Sequence, residues 1–118
     1  MSTERIELGK AGEDFGVKYL EENGYSIIAR NYRTKAGEID VIAKNDHLIV
    51  FVEVRTSSSL FIAPEESITQ VKIRKLKTTA RFFLSSHFEY SDMDIRFDLM
   101  AIIFKNGVWS INHLLNII

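Results

Sequence analysis

Two carboxylates interrupt the most apolar stretch of the chain and constrain how that stretch can fold. Asp40 lies within the run at 37–43, and Glu53 lies within the run at 49–54. The polar segment between them, at 44–47, is typical of a turn, so the stretch is predicted to form an antiparallel hairpin. A turn centred on this segment sets Asp40 opposite Glu53, where Cβ atoms lie about 5 Å apart and like charges destabilise a sheet. We therefore interpret the pair as a site for a cation.

Size and composition predict a single domain over residues 1–118. The chain is 46% hydrophobic and 26% charged, which is ordinary for a globular protein with a buried core. The absence of cysteine excludes disulfides and thiolate metal sites, and His47, His87 and His113 lack the spacing of zinc ligands. Neither a signal peptide nor a membrane-spanning run is found. We expect a cytoplasmic protein without a membrane partner.

The remaining pattern predicts an α/β protein with the order αβββαββ, in which a mixed β-sheet is flanked by two main helices. A first helix is predicted at about 7–23, ending at Gly24, and a first strand at 25–33. Pro64 and the acids after it favour the start of a second helix that runs to about 86. The last two strands are predicted at 96–104 and 108–114, with a two-residue turn between them.

The predicted hairpin places candidate metal ligands where a buried face meets solvent. On this register Glu38, Asp40, Glu53 and Arg55 share one face. Oxygens of Asp40 and Glu53, the carbonyl of Val54 and waters would suit Mg²⁺ or Mn²⁺. A salt-bridge cluster at the rim of the sheet, with Glu38 paired to Arg55, is the alternative interpretation. The hairpin alone does not decide between the two.

Each predicted helix adds one charged residue to its apolar face. Glu13 shares a stripe of the first helix with Gly9, Gly16, Val17 and Leu20, and Lys72 shares a stripe of the second with Ile68, Leu76 and Ala80. A helix N-terminal acid, or a lysine whose stem covers apolar neighbours, is the structural alternative. Beside Asp40 and Glu53, both residues favour a four-part site.

Several motifs resemble those of known nucleases. Asp40 with Glu53-Val54-Arg55 resembles the D-x(n)-E-x-K signature of the PD-(D/E)xK nuclease superfamily. The chain is also similar, over nearly its whole length, to the YraN-like family of small bacterial proteins regarded as endonucleases. The motifs that carry this similarity are Gly12-Glu13, Gly24-Tyr25, Arg30-Asn31-Tyr32-Arg33, Gly37-Glu38-Ile39-Asp40, Phe51-Val52-Glu53-Val54-Arg55, Arg96-Phe97-Asp98 and His113.

The resemblance implies a restriction-endonuclease-like fold, similar to that of archaeal Holliday-junction resolvases. It makes Asp40 and Glu53 metal ligands and Glu13 a third ligand, direct or through water. Arg55 departs from the superfamily pattern, since it stands where the signature lysine would be. Arginine stays charged and cannot act as a general base, although it could stabilise the negative charge of a transition state. Lys72 would reach the same point from the second helix.

Three functions are compatible with these residues. The favoured one is a Mg²⁺- or Mn²⁺-dependent endonuclease acting on DNA of branched or unusual structure, with flanking phosphates held by Arg30, Arg33, Lys35, Arg74, Lys77 and Arg81. The net charge of −1 predicts modest binding unless a homodimer joins two basic faces. The alternatives are a catalytically silent nucleic-acid-binding module and a protein-interaction domain with a structural acid cluster. Asp98 and His113 are left outside the site.

Overall fold

The computed structural model describes residues 3–58 and 68–118, which form five strands, two long helices and a short 3₁₀ helix. In chain order these are α1 (Thr3–Glu22), β1 (Ser26–Thr34), β2 (Gly37–Lys44), β3 (Leu48–Ser57), α2 (Gln70–Ser85), the 3₁₀ helix (Phe88–Tyr90), β4 (Asp94–Lys105) and β5 (Val108–Leu114). The predicted order αβββαββ is confirmed. Neither α1 nor α2 combines the length and apolar character that a membrane span requires, within the ranges described.

The five strands form one mixed sheet in the order β1-β2-β3-β4-β5. The pairs β1/β2, β2/β3 and β4/β5 are antiparallel, whereas β3 and β4 are parallel. Parallel neighbours need a crossover connection, and α2 lies in that connection. The predicted turn before β5 is confirmed, because Asn106 and Gly107 have φ values of 53° and 75°, as a two-residue hairpin requires.

The two helices cover opposite faces of the sheet. Alternate residues of the central strands β2 and β3 point to opposite sides, which produces two separate apolar clusters. One cluster joins Leu20 of α1 to Val41, Ala43, Val50 and Val52. The other joins α2 to the opposite face through Leu76, Ala80, Phe83, Ile42, Ile49 and Phe51. The central strands are therefore buried on both sides.

Both predicted helix starts differ from the structure. The first helix starts at Thr3, four residues before the predicted position. The second starts at Gln70, because the side chain of Thr69 accepts a hydrogen bond from the Lys72 backbone N–H at 3.2 Å and so satisfies one of the free donors of the first turn. Pro64 lies outside the described residues, but a continuous helix from Pro64 is wrong, since Ile68 and Thr69 precede the helix.

The first helix approaches the sheet most closely at a glycine. A Cβ atom added to Gly12 would lie 2.9 Å from Cβ of Thr56 on β3, a separation that real Cβ atoms essentially never show. Gly12 is buried, and it is followed directly by Glu13. Close packing at Gly12 therefore holds the Glu13 backbone against the sheet.

Candidate functional site

The sheet divides at the two acids that interrupt its central strands. The ladder between β2 and β3 has the predicted register and ends at the pair Val41 and Val52. Beyond this pair β2 continues only with β1, and β3 continues with β4. Asp40 and Glu53 are the first residues past the end of the ladder, one on each strand. We call this point the fork.

A backbone hydrogen bond crosses the fork to the carboxylate of Asp40. The backbone N–H of Val54 donates to Oδ2 of Asp40 at 2.8 Å. A side chain thus takes the place of the backbone carbonyl that a continued ladder would have supplied. This contact fixes the Asp40 carboxylate beside β3, next to Glu53.

The uniform side-chain alternation predicted for β2 is wrong at Asp40. Ile39 and Ile42 both belong to the cluster under α2, which strict alternation would not allow. Asn31 and Asp40 would lie opposite each other on β1 and β2, but they are not paired in the sheet. Asn31 has a φ of 53°, in the left-handed region. Both strands are therefore irregular at the level of the site, and Asp40 lies at that irregularity.

The environment of Asp40 disfavours its charged form. Burial, followed by the negative charge of Glu53, raises the pKa of Asp40 to about 8, while the hydrogen bond from Val54 opposes the rise. Glu13 on α1 adds a smaller contribution in the same direction. These three acids are therefore close enough to interact, as the sequence predicted. A cation placed beside Asp40 and Glu53 would offset the repulsion.

A network from β1 holds Glu13 of α1. Its Oε1 accepts hydrogen bonds from Arg30 Nε at 3.1 Å, from Arg30 Nη2 at 3.0 Å and from Asn31 Nδ2 at 3.1 Å. Arg30 also pairs with Asp14 at 2.7 Å, and the hydrogen bond to Asp14 is the largest of the contributions that raise the pKa of Arg30. Arg30, predicted to contact phosphate, is thus placed against two carboxylates.

Asn31 is a site residue that the sequence reasoning missed. Asparagine adopts left-handed backbone more readily than other non-glycine residues, and its presence inside a predicted strand could have indicated an irregularity there. Its role toward Glu13 could not have been read from the sequence, because it depends on how α1 packs against β1.

Arg55 forms an ion pair with Glu53. Its Nη2 lies 3.0 Å from Oε2 of Glu53. This contact has ion-pair distance without hydrogen-bond alignment, and Nε and Nη2 of Arg55 are buried without a hydrogen-bond partner in the described ranges. Unsatisfied buried donors are rare in folded proteins. Nε of Arg55 is therefore a buried donor without a hydrogen bond, whereas Nη2 already pairs with Glu53.

Two cavities flank the fork. The larger, of about 600 Å³, lies on the α1 side and is lined by Glu13, Arg30 and Arg55 among others. The smaller, of about 210 Å³, lies on the α2 side and is lined by both Glu53 and Lys72. Lys72 lines this cavity with Ile68 and Leu76 of its predicted stripe, but it is exposed and not buried. Charged groups thus reach the fork from both faces of the sheet.

The donor set fits a hard divalent ion bound by two carboxylates. No group of three or more His, Cys, Asp or Glu residues is arranged to hold a metal ion among residues 3–58 and 68–118. Glu13, which was predicted to be a third ligand, has its Oε1 occupied by Arg30 and Asn31. Mg²⁺ commonly keeps several waters and binds through only one or two carboxylates, which Asp40 and Glu53 supply.

The cations predicted to contact phosphate are separated by the fold. Arg33 pairs with Glu38 at 3.3 Å, and Lys35 is exposed in the turn between β1 and β2. Helix α2, in contrast, carries five cations and no acid, and none of its cations forms an ion pair with the described residues: Lys72, Arg74, Lys75, Lys77 and Arg81. The strongest basic surface is therefore α2.

A second polar cluster lies on β4, beside Val52 at the end of the ladder, and ties down the C-terminal tail. Asp98 is fully buried and accepts hydrogen bonds from Arg96 Nε and Nη2 and from His113 Nε2, each at 2.8 Å, and from the Asn116 backbone N–H at 2.9 Å. Burial raises the pKa of Asp98, but the hydrogen bonds from His113, Arg96 and Asn116 outweigh it and lower the value. Asp98 pairs with Arg96 inside the protein and not at its rim.

Comparison with other proteins places the chain in a family. Residues 12–102 match the family described as "Uncharacterised protein family UPF0102". A UPF0102 protein of Syntrophomonas wolfei is 41% identical over 93% of this chain and 96% of its own length. One of Caldicellulosiruptor saccharolyticus is 44% identical over 93% and 95%, and one of Bacteroides thetaiotaomicron is 41% identical over 94% and 91%. On this similarity across nearly its full length, the chain belongs to the UPF0102 family.

Proposed function

We propose that this protein is a metal-dependent endonuclease that hydrolyses phosphodiester bonds in DNA, including branched or otherwise structured DNA. The observation that supports it best is the pair Asp40 and Glu53, held together at the fork although burial and like charge raise the pKa of Asp40 to about 8. Sites that perturb carboxylate pKa values in this way cluster at functional positions. The mixed sheet with two helices is consistent with a restriction-endonuclease-like fold, which belongs to the same proposal.

In this proposal Asp40 and Glu53 hold Mg²⁺ or Mn²⁺. A bound ion of this kind lowers the pKa of a ligated water and polarises a phosphate oxygen. Glu13, fixed by Arg30 and Asn31, faces the same site through its remaining carboxylate oxygen and water. The carboxylates thus define where the scissile phosphate lies.

Arg55 and Lys72 bind the reacting phosphate from opposite faces of the sheet. The buried Nε–H of Arg55, which has no hydrogen-bond partner among the described residues, donates to a phosphate oxygen, where charge develops during hydrolysis. Lys72 approaches from the α2 cavity that also contains Glu53. Because arginine does not lose its proton, Arg55 acts as a charge stabiliser and not as a base.

Flanking phosphates contact the basic surface of α2 through Arg74, Lys77 and Arg81, with Arg33 and Lys35 at the β1–β2 turn. Such contacts release counterions, so affinity falls with salt concentration. A homodimer would join two of these surfaces and suit a symmetric junction. A cytoplasmic location would give the protein access to its substrate.

Cleavage of branched and single-stranded DNA in Mg²⁺ or Mn²⁺ tests the proposal, using wild type, Asp40→Ala and Glu53→Ala. Each substitution should lower the rate by about 100-fold or more and abolish Mn²⁺ binding measured by calorimetry. Asp46→Ala is the matched control, since Asp46 is an exposed acid in the turn of the same hairpin. Equal activity of both fork variants and wild type would refute the assigned site.

A second function, nucleic-acid binding without turnover, is favoured by one contact. Arg55 already lies 3.0 Å from Glu53 and offsets its charge without a metal ion. A silent module would bind DNA equally well with Mg²⁺ or with a chelator and would cleave nothing. Metal-dependent cleavage by wild type that is lost in Asp40→Ala rules this function out.

A further inference from the structure

A groove between α2 and the start of β4 plays no part in the chemistry at the fork. Its volume is about 270 Å³, and it is lined by Lys77, Ala80, Arg81, Leu84, Ile95 and Phe97. Ile95 is 47% exposed, so an apolar side chain of β4 is accessible to a ligand in the groove. The volume is just below the 300–1,000 Å³ typical of pockets for drug-sized ligands. The groove thus combines an apolar floor with two cations and suits a small flat ligand.

Arg81 also borders a second feature on the outer surface of α2. There it lies beside Phe82, which is 52% exposed, together with Thr78 and Ser85. One guanidinium therefore separates an apolar groove from an exposed aromatic ring. Alternating aromatic and basic groups are the means by which proteins bind single-stranded nucleic acid.

The charges around the groove favour one direction for a bound polyanion. Five cations follow α2 from Lys72 to Arg81 without an acid among them. Three acids, Glu89, Asp92 and Asp94, follow the C-terminal end of the helix. A polyanion in the groove is therefore favoured to extend along α2 toward Lys72 and the fork, and disfavoured in the other direction.

We propose that this groove binds an unpaired nucleobase of a single-stranded DNA segment. Lys77 and Arg81 contact the phosphates of that nucleotide, and the neighbouring base stacks on Phe82. Bases inside a duplex are stacked on each other and cannot enter the groove, so this surface prefers single strands. The inference rests on the proposed function, because it assigns the flank of the same substrate.

The distance along α2 defines how far this nucleotide lies from the acids. Nine residues separate Arg81 from Lys72, which corresponds to about 14 Å at 1.5 Å per residue. A short unpaired stretch of a few nucleotides would therefore connect the bound base to the phosphate at the fork, a geometry that suits the unpaired region of a branched molecule.

Fluorescence anisotropy with labelled oligo(dT) and a duplex of equal length tests the inference, in EDTA and low salt so that no cleavage occurs. Wild type should bind the single strand more tightly than the duplex. Phe82→Ala and Ile95→Thr should each weaken oligo(dT) binding by about five-fold or more, and duplex binding by less than two-fold. Both positions are exposed, and melting temperatures will show that the variants fold.

Two matched controls accompany these variants. Phe88→Ala removes a ring that is 79% exposed but lines neither feature, and it should leave oligo(dT) binding unchanged. Arg81→Ala should reduce the salt dependence of oligo(dT) binding, lowering the slope of log K against log salt by about 0.7, whereas Lys18→Ala on α1 should not.

The inference is overturned if duplex and single strand bind equally, or if Phe82→Ala and Phe88→Ala have the same effect. It is also overturned if an acidic peptide of equal charge competes as well as oligo(dT), because the surface would then recognise charge alone. Binding of oligo(dT) without any metal-dependent cleavage would refute the nuclease and leave this site intact. Cleavage that is unchanged in Phe82→Ala and Ile95→Thr would refute this binding site and leave the proposed nuclease intact.

Discussion

Asp98 illustrates how a buried charge is tolerated when every acceptor position is used. Four hydrogen bonds reach its carboxylate, and Arg96 in turn donates to the hydroxyl of Tyr25 at 2.8 Å. Asp98→Asn removes the charge that Arg96 and His113 face. We expect it to reduce the free energy of unfolding by about 3 kcal/mol at pH 7, measured by urea denaturation.

The same variant should alter the pH dependence of stability. The folded pKa of Asp98 lies below its unfolded value of 3.8, so its contribution is present above about pH 4 and is lost as pH falls through the folded pKa. The stability difference between wild type and Asp98→Asn should therefore shrink between pH 5 and pH 2. Asp46→Asn, at an exposed acid, should show no such change. A difference that stays constant to pH 2 would contradict the assignment.

Asn31 combines a backbone and a side-chain role that two substitutions can separate. Asn31→Gly keeps the left-handed backbone easily but removes the hydrogen bond to Glu13, whereas Asn31→Ala removes the bond and adds strain. We expect the alanine variant to be less stable than the glycine variant by about 1 kcal/mol in urea denaturation. Both should weaken Mn²⁺ binding to a similar extent. Equal stability would mean that the backbone at this position is not strained.

At the scale of single residues, the sequence predicted the features that depend on neighbouring residues in the chain. The register between β2 and β3 follows from the turn at 44–47 and the apolar alternation, and the structure has that register. The irregularity at Asn31 and Asp40 was not predicted, and the contact of Asn31 with Glu13 could not be, because it depends on how α1 packs against β1. The ion pairs of Arg30 were missed for the same reason.

The first helix requires glycine at position 12 but not at position 9. Gly12→Ala would force Cβ against the side chain of Thr56, so we expect a loss of about 1–3 kcal/mol in the free energy of unfolding. Gly9→Ala is the control, since nothing lies within 4 Å of its Cβ position, and it should be neutral or stabilising by up to about 1 kcal/mol. Chemical denaturation of both variants measures this. Equal effects would show that α1 does not pack as described.

Among the elements, strands and turns were predicted more closely than helix starts. β4 and β5 are bounded by a turn whose glycine and asparagine specify its geometry. The start of α2 was predicted from Pro64, but Thr69 caps the helix in the structure. Pro64 and Thr69 are close in sequence, and both favour a helix start. The contacts of Leu76, Ala80 and Phe83 with the sheet select where the helix packs.

Across the whole molecule, the net charge of −1 hides an uneven distribution, in which α2 is basic and α1 is acidic. α2 has five cations and no acid, whereas α1 has six acids and three cations. Arg74→Glu and Lys18→Glu change the net charge equally, but only Arg74→Glu should weaken DNA binding, by about ten-fold at low salt. Electrophoretic mobility shifts at several salt concentrations measure this. Equal losses in both variants would mean that overall charge, and not the α2 surface, controls binding.

The overall architecture was largely predictable, since the order of helices and strands follows from periodicity and turn residues. The fork was not, because a ladder that ends early has no local sequence pattern. The groove beside β4 was also missed, since Ile95 and Phe97 are distant in sequence from Lys77 and Leu84. Features made by non-local packing therefore require the structure.

The parallel pairing of β3 with β4 also affects the order in which the protein folds. α1 and the strands β1 to β3 are consecutive in the chain and contain Glu13, Asp40, Glu53 and Arg55, so their mutual contacts close only short loops. The pairing of 48–57 with 94–103 closes a much longer loop and should be slower. We expect amides of β2 to gain protection from hydrogen exchange before those of β4 during refolding, so that the acid pair is assembled before the surface that we propose for DNA binding.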